Sequence, residues 1–194
     1  MTTPPENRRV TEAAVDPLFP GRWSPRAFSP QPVPREALLS LFEAARWAPS
    51  ANNEQPWLFL YADEEPLLAR FRPLFVDANR VWCDQAPALA FILARLHSSF
   101  DGKVNRWAQF DTGSAWMSLA LQARLLGLYA HAMAGIHRDQ VYDALNVPRS
   151  EYEVMAGLAI GYYGDPATLP PALREREKPN ERKPLAEVAR RGAF

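Results

Sequence analysis

Between Pro49 and Trp57 the chain reads Pro-Ser-Ala-Asn-Asn-Glu-Gln-Pro-Trp. Ser50, Asn52, Asn53 and Gln55 offer hydroxyl and amide groups that both donate and accept. Pro49 and Pro56 hold the residues before them in extended conformations and stiffen the stretch. A stiff loop with this many uncharged polar groups suits a planar heterocycle rich in carbonyls and ring nitrogens. Pro, Ser and Asn are also ordinary turn residues, and the two readings weigh equally on this stretch alone. Upstream, Gly21-Arg22-Trp23-Ser24-Pro25-Arg26-Ala27-Phe28 sets two arginines around a serine. Guanidinium groups match oxyanions in a bidentate fork, so this segment reads as an anion clamp.

Other chemistries have no visible machinery. There is no Gly-x-Gly-x-x-Gly, no phosphate loop and no Gly-x-Ser-x-Gly elbow. His97, His131 and His137 lack metal-ligand spacing with Cys83 or with carboxylates, and each reads as structural or exposed. Lys plus Arg equals Asp plus Glu at 22 each, so the chain lacks the basic surplus that nucleic acid or an anionic membrane attracts. The longest apolar run, Ala86 to Ala94, is far short of a membrane span. Met1 to Arg9 is polar, with no apolar signal-peptide core. A single cysteine excludes an internal disulfide framework and suits a reducing cytoplasm.

The elements that must position these residues follow from patterning. At 194 residues, 47% of them hydrophobic, the chain fits one domain with a normal core. Residues 1 to 16 read as a loose leader or one short helix around Val10 to Val15, and Pro17 to Pro32 as extended. Leu38, Leu41, Phe42 and Ala45 recur at helical spacing within Arg35 to Trp47. Trp57 to Ala62 reads as a strand and Glu64 to Phe75 as a helix. Asp77 to Gln85 reads as irregular, and Pro87 to Ala94 as a central strand covered on both faces. His97 to Trp107 is the candidate mobile lid. Asp111 to Leu126 is a long helix whose apolar residues wrap too widely to pack on one side, with Gly127 as its stop. A strand over Leu128 to Ala134, a helix over Arg138 to Leu145 and a strand over Val154 to Tyr162 follow. Gly164 to Pro184 is a proline-rich arm, and Leu185 to Ala189 closes the chain. Helices alternate with strands, an α/β order.

Together the two polar stretches resemble the nitroreductase family of FMN-dependent NAD(P)H oxidoreductases. The family carries an Arg-x-Ser-x-Arg/Lys-x-Phe segment and, about two dozen residues on, a Pro-Ser-x-x-Asn-x-Gln-Pro-Trp segment. Here they are Arg22, Ser24, Arg26 and Phe28, then Pro49, Ser50, Asn53, Gln55, Pro56 and Trp57. The resemblance spans roughly Arg22 to Leu185. It implies an α+β fold with a central mixed sheet flanked by helices, in a homodimer that exchanges C-terminal arms (residues 164–194). It implies FMN as cofactor and NADH or NADPH as co-substrate.

The resemblance also assigns roles. Arg22, Trp23, Ser24 and Arg26 lie near the phosphate and pyrimidine side of FMN. Pro49, Ser50, Ala51, Asn53 and Gln55 form the loop at the isoalloxazine, with the Asn53 amide bonded to the ring. Loop and phosphate anchors are expected from one subunit, in a pocket that the other completes. Arg182-Lys183 matches the C-terminal phosphate anchor, although solvated surface charge explains Lys183 equally well. Gly135 takes the place of a backbone N–H facing flavin N5; a simple strand-end turn is the larger share of that reading. Flavin N5 does the chemistry, so no catalytic side chain and no metal is expected. Trp23, Ala134 and Asn180 depart from residues that many members carry and bear on which acceptor is reduced. Trp82, Phe100, Trp107 and Phe110 read as core, Trp82 above all, or as the lining of a stacking pocket. The implied activity is ping-pong reduction of a flat, electron-poor acceptor, a nitro compound or quinone. The alternatives are a specialised flavin-fold enzyme, such as a reductive dehalogenase or flavin-fragmenting type, and a flavin-binding module without turnover.

Overall fold

The computed structural model describes residues 2–194. Strands β1 (Trp57–Ala62), β2 (Ala88–Arg95), β3 (Tyr129–Met133) and β4 (Tyr152–Gly161) form one sheet in the order β1-β2-β4-β3. Every pairing is antiparallel, so the sheet is not the mixed one expected. The α+β architecture stands. Trp57 lies opposite Ala94, Ala88 opposite Ile160, and Tyr129 opposite Gly161. A bulge opposite Ile92 and Leu93 breaks the β2–β4 register.

The sheet separates two cores. Successive side chains on a strand point to opposite faces. Leu89, Phe91 and Leu93 therefore join Trp23, Phe75, Trp82 and Tyr129 on one side, while Ala88, Ala90 and Ile92 join Leu38, Leu41, Leu119 and Ala123 on the other. The second side is covered by helices α2 (Arg35–Arg46) and α5 (Ala108–Leu125). Burial on both faces explains why β2 is a nearly unbroken apolar run. Gly127, at φ 71°, ends α5 in the left-handed conformation that glycine adopts without a Cβ clash.

Several expectations fail locally for identifiable reasons. No helix forms over Val10 to Val15, where Val10 is 89% exposed and gives a short helix no core to pack on. Instead a one-turn helix, α1 (Leu18–Gly21), interrupts the stretch expected to be extended, started by Asp16 Oδ1 accepting the Leu18 N–H at 2.8 Å. The helix expected over Glu64 to Phe75 splits into α3 (Glu65–Phe71) and a tighter 3-10 turn at Arg72–Leu74, where Pro73 has no N–H to continue the ladder. The segment expected to be irregular is helix α4 (Asp77–Cys83). It buries Trp82 and Cys83, and packing outweighs its weak pattern. A further helix, α6 (Arg138–Ala144), runs between β3 and β4. The arm contains one turn, α7 (Pro171–Arg174), and ends in another, α8 (Leu185–Val188).

The chain before α2 is tied to the end of β4. Ser29 N–H donates to Tyr162 O at 2.9 Å, and Gly164 N–H donates to Ala27 O at 2.9 Å. These bonds carry Arg22 to Phe28 past the start of β3, where Trp23 meets Tyr129 and Pro25 meets His131. The packing there and under the sheet is tight. A Cβ added at Gly157 of β4 would meet Phe75 Cε1 at 2.2 Å. Gly157→Ala is therefore expected to lower the unfolding free energy by about 1–3 kcal/mol through overpacking, read as a reduced urea midpoint at unchanged slope.

Candidate functional site

Arg22, Trp23, Ser24, Arg26 and Arg182 meet around one small cavity of about 130 Å³. Arg9, His131, Arg176, Lys178 and Asn180 complete its lining. The lining thus holds five arginines and a lysine and no carboxylate. Among the described residues none of these six cations takes part in an ion pair. Arg22 Nη1 reaches Ser24 Oγ at 3.3 Å. The guanidiniums of Arg9, Arg22 and Arg26 are all held below the usual arginine pKa, first by burial and then by neighbouring arginines: Arg182 for Arg9 and Arg22, Arg176 for Arg26. Glu177 opposes the effect at Arg26.

That carboxylate is buried and does not pair with the arginines directly. It accepts the Arg26 N–H at 2.8 Å and the Ala27 N–H at 2.8 Å, fixing the motif's backbone from the C-terminal arm. Aromatic rings pack behind the cavity lining. Trp23 packs edge-on to Tyr129 at 5.9 Å, and Trp82 lies under both Arg26 (6.0 Å) and the His131 ring (4.6 Å). Trp23 is a core residue, which accounts for its departure from the basic residues common at that place.

Lys183 does not line this cavity. It lines an adjacent groove, which Arg182 also borders, and sits 3.9 Å from Glu187. Sequence reasoning missed Arg9, Arg176, Lys178 and His131. The alternation Arg174, Arg176, Lys178 in the arm was a weak signal for two of them. Arg9 and His131 carried none, because only the fold brings them here.

The Pro49–Gln55 loop lies elsewhere, beside the second core. Ala51–Asn53 forms a 3-10 turn; Asn52 and Asn53 in it, and Gln55 just after it, have φ values of 52°, 58° and 48°. Left-handed conformations at three non-glycine residues in so short a loop mark stored strain. Ser50 Oγ accepts the Gln55 N–H at 3.0 Å, and buried Asp111 of α5 accepts the Ala51 N–H at 3.0 Å. These bonds leave the Asn53 side chain exposed. The candidate lid is fastened to the same loop: Glu54 accepts from Ser98 Oγ at 2.7 Å and from the Ser99 N–H at 2.8 Å. Those donors hold the Glu54 carboxyl below its usual pKa. Phe100, Trp107 and Phe110 are 90%, 60% and 73% exposed, so they are not core, while Trp82 is 2% exposed and is. The cavity beside this loop, lined by Ala51, Asn52, Glu54 and Trp107, shares no residue with the basic cavity.

Gly135 follows β3 and is closely approached by Asn79 and Val76, a packing reason for glycine at this place. A Cβ there would meet Asn79 Nδ2 at 2.6 Å, and Asn79 donates to Gly135 O at 2.9 Å. Asn79 is a polar group that sequence reasoning passed over because its segment was read as irregular. Cys83 is buried, and desolvation pushes its thiol up to about 12, which removes it from nucleophilic chemistry. Among the described residues no group of three or more His, Cys, Asp or Glu residues is placed to hold a metal, and no helix is long and apolar enough to cross a membrane.

The fold and the two motif sets define a class, and comparison with known proteins agrees. The family model described as "Nitroreductase family" matches residues 20–81 and 74–162. A solved oxidoreductase containing FMN is 47% identical, with a TM-score of 0.93, over 100% of this chain and 98% of that one. An NADH dehydrogenase/NAD(P)H nitroreductase, so assigned, of Xanthomonas oryzae pv. oryzae is 30% identical over 183 residues, 84% of this chain and 91% of its own. The 4-nitrobenzoate reductase of Pseudomonas putida is 25% identical over 207 residues, covering 84% and 91% of the two chains. The chain belongs to the nitroreductase family and is an oxidoreductase.

His131 offers a check on the cavity's electrostatics. Its Nδ1 donates to Pro25 O at 2.7 Å. Burial, reinforced by Arg26 and Arg22 against that hydrogen bond, lowers its pKa to about 4. Below the ordinary value of about 6.5 the unfolded chain takes a proton that the folded chain refuses until about pH 4, so stability falls as pH drops through that window. The expected loss is of order 3 kcal/mol. Urea unfolding at pH 7 and pH 4.5 should show a smaller drop in His131→Gln than in the wild type.

Proposed function

We propose that this chain is an FMN-dependent oxidoreductase that takes hydride from NADH or NADPH. It delivers the electrons to a flat, electron-poor acceptor, a nitro compound or quinone, by ping-pong kinetics, as a cytoplasmic homodimer. The observation that carries the reading is the basic cavity. Six cations without ion-pair partners surround a space lined by Arg22, Ser24 and Arg26, in a chain closely similar to an FMN-containing oxidoreductase. That donor set fits a phosphate dianion, which charge-assisted bonds from guanidinium groups hold well.

Arg22, Arg26, Arg182 and Ser24 would hold the phosphate, with Trp23 as a buttress beneath them. The Gly135 carbonyl, just past the C-terminal end of β3, is held by Asn79 and by the Val76 N–H, the latter at 3.2 Å, and its N–H would be the group offered to flavin N5. Pro49, Ser50, Ala51, Asn53 and Gln55 would supply the polar edge facing the isoalloxazine. Because this loop borders the second core and the basic cavity the first, we infer that the two halves meet across the dimer rather than within one subunit. This revises the expectation that one subunit supplies both. The exposed apolar side chains of Trp47, Trp107 and Phe110, at 73%, 60% and 73%, support burial against a second copy. FMN, when bound, supplies two-electron hydride chemistry at N5, and the protein's work is binding, orientation and exclusion of water.

A second reading, a specialised flavin-fold enzyme of the reductive dehalogenase or flavin-fragmenting type, draws support from the segment His97 to Trp107. Its bonds to Glu54 tie a candidate lid directly to the proposed ring-binding loop. Asn53→Ala should slow both half-reactions, since it loosens the ring rather than removing a substrate contact.

Two measurements test the proposal. The purified dimer should carry about one FMN per subunit; NADH or NADPH should bleach the flavin absorbance, and a quinone or nitroaromatic should restore it. Bleaching by dithionite but by neither nicotinamide would defeat the reductase reading and leave a specialised or non-turnover flavoprotein. Second, Arg22→Ala is expected to weaken FMN binding by about 1.5–3 kcal/mol. Lys183→Ala should cost much less, because Lys183 lies outside the basic cavity. Equal dissociation constants in a fluorescence titration would contradict the assignment of Arg22.

A further inference from the structure

We propose that Arg9, on the segment preceding the family-matched region, is an additional phosphate-binding residue, and that it clasps this segment to the C-terminal arm over the bound anion. The inference rests on the proposed FMN site and extends it to a residue outside the matched residues 20–162.

The Arg9 guanidinium is held at two of its three nitrogens. Nη1 donates to Pro20 O at 3.0 Å and to Arg22 O at 2.7 Å, and Nε donates to Asn180 O at 2.7 Å. All three partners are neutral carbonyls, which orient the group without offsetting its charge. Nη2, with two further N–H bonds, has no hydrogen-bond partner among the described residues. Arg9 lines the basic cavity and makes no ion pair there among the described residues. Of the nearby carboxylates, Glu177 is occupied by the Arg26 and Ala27 amides, and Glu181, which lines the adjacent groove with Arg9, opposes the lowering of the Arg9 pKa without reversing it. Gathering this many like charges is unfavourable without a counter-ion, and a phosphate dianion is the ligand whose charge and oxygen count would match.

The same contacts join two distant parts of the chain. Asn180 O accepts from both Arg9 and Arg182 Nη1, the latter at 3.3 Å. Beside this joint Glu12 Oε1 accepts the Leu185 N–H at 3.0 Å. An anion shared by Arg9, Arg22 and Arg182 therefore ties the leading segment, the Arg-x-Ser-x-Arg motif and the arm into one unit.

The test compares FMN, riboflavin and inorganic phosphate as ligands of the wild type and of Arg9→Ala. Riboflavin keeps the ring and lacks the phosphate, so it reports folding and ring binding independently of the anion site. Arg9→Ala should raise the dissociation constants of FMN and of inorganic phosphate about tenfold or more and leave that of riboflavin unchanged. In the wild type, FMN but not riboflavin should slow tryptic cleavage at Arg8 and Arg9. Unchanged FMN and phosphate affinities in Arg9→Ala would overturn the inference, as would a parallel loss of riboflavin binding, which would mark Arg9 as merely structural. A wild type that binds phosphate in an Arg9-dependent way but not FMN would refute the cofactor reading while sustaining Arg9 as an anion ligand.

Discussion

The candidate site depends on where one carboxylate points. Glu177 is the buried acid nearest the arginine cluster, and it spends its oxygens on the backbone N–H groups of Arg26 and Ala27. Desolvation raises its pKa, and those two amides act against the rise. Turned the other way, the carboxylate would neutralise the guanidiniums and close the cavity as an internal ion-pair network. Facing the backbone, it joins the arm to the motif across 150 residues and leaves the six cations of the cavity without an ion-pair partner. Under the proposed function, a structural bond and an anion site would thus come from a single orientation.

The sheet then divides the labour. Its first face carries the aromatic rings that pack behind the cations, and its second carries α5, whose Asp111 anchors the neutral polar loop. Under the proposed function, one group of residues would answer charge and the other a planar polar surface. The helix α5 buries Ala115, Leu119, Ala120 and Ala123 within the chain while Phe110 and Leu125 remain outside, which is why its pattern looked too apolar for a one-sided helix.

The sequence made visible what is local. The bounds of β1 follow from its apolar run between two prolines and a charged stretch, and α2 from Leu38, Leu41 and Ala45 at one helical face. Both polar motifs could be read because each is contiguous. What stayed hidden depends on contacts between distant residues. The antiparallel order of the strands is a matter of pairing, which alternating helices and strands do not reveal. Helix α4 exists because Trp82 and Cys83 have a core to enter. Arg9 and His131 join the cavity from opposite parts of the chain, and no spacing rule links them to Arg22. The left-handed residues of the Pro49–Gln55 loop also escaped notice, since Asn and Gln carry no obligatory signature of that conformation as glycine often does.

Those left-handed residues have a kinetic consequence. The Ser50 hydroxyl holds the Gln55 N–H and Asp111 holds the Ala51 N–H, so the turn that carries them is ordered when the chain folds and not when a ligand arrives. A planar molecule docking on this loop, as proposed, would meet a rigid template. Capture there needs little rearrangement, and differences in affinity among related molecules are expected to show mainly as differences in residence time.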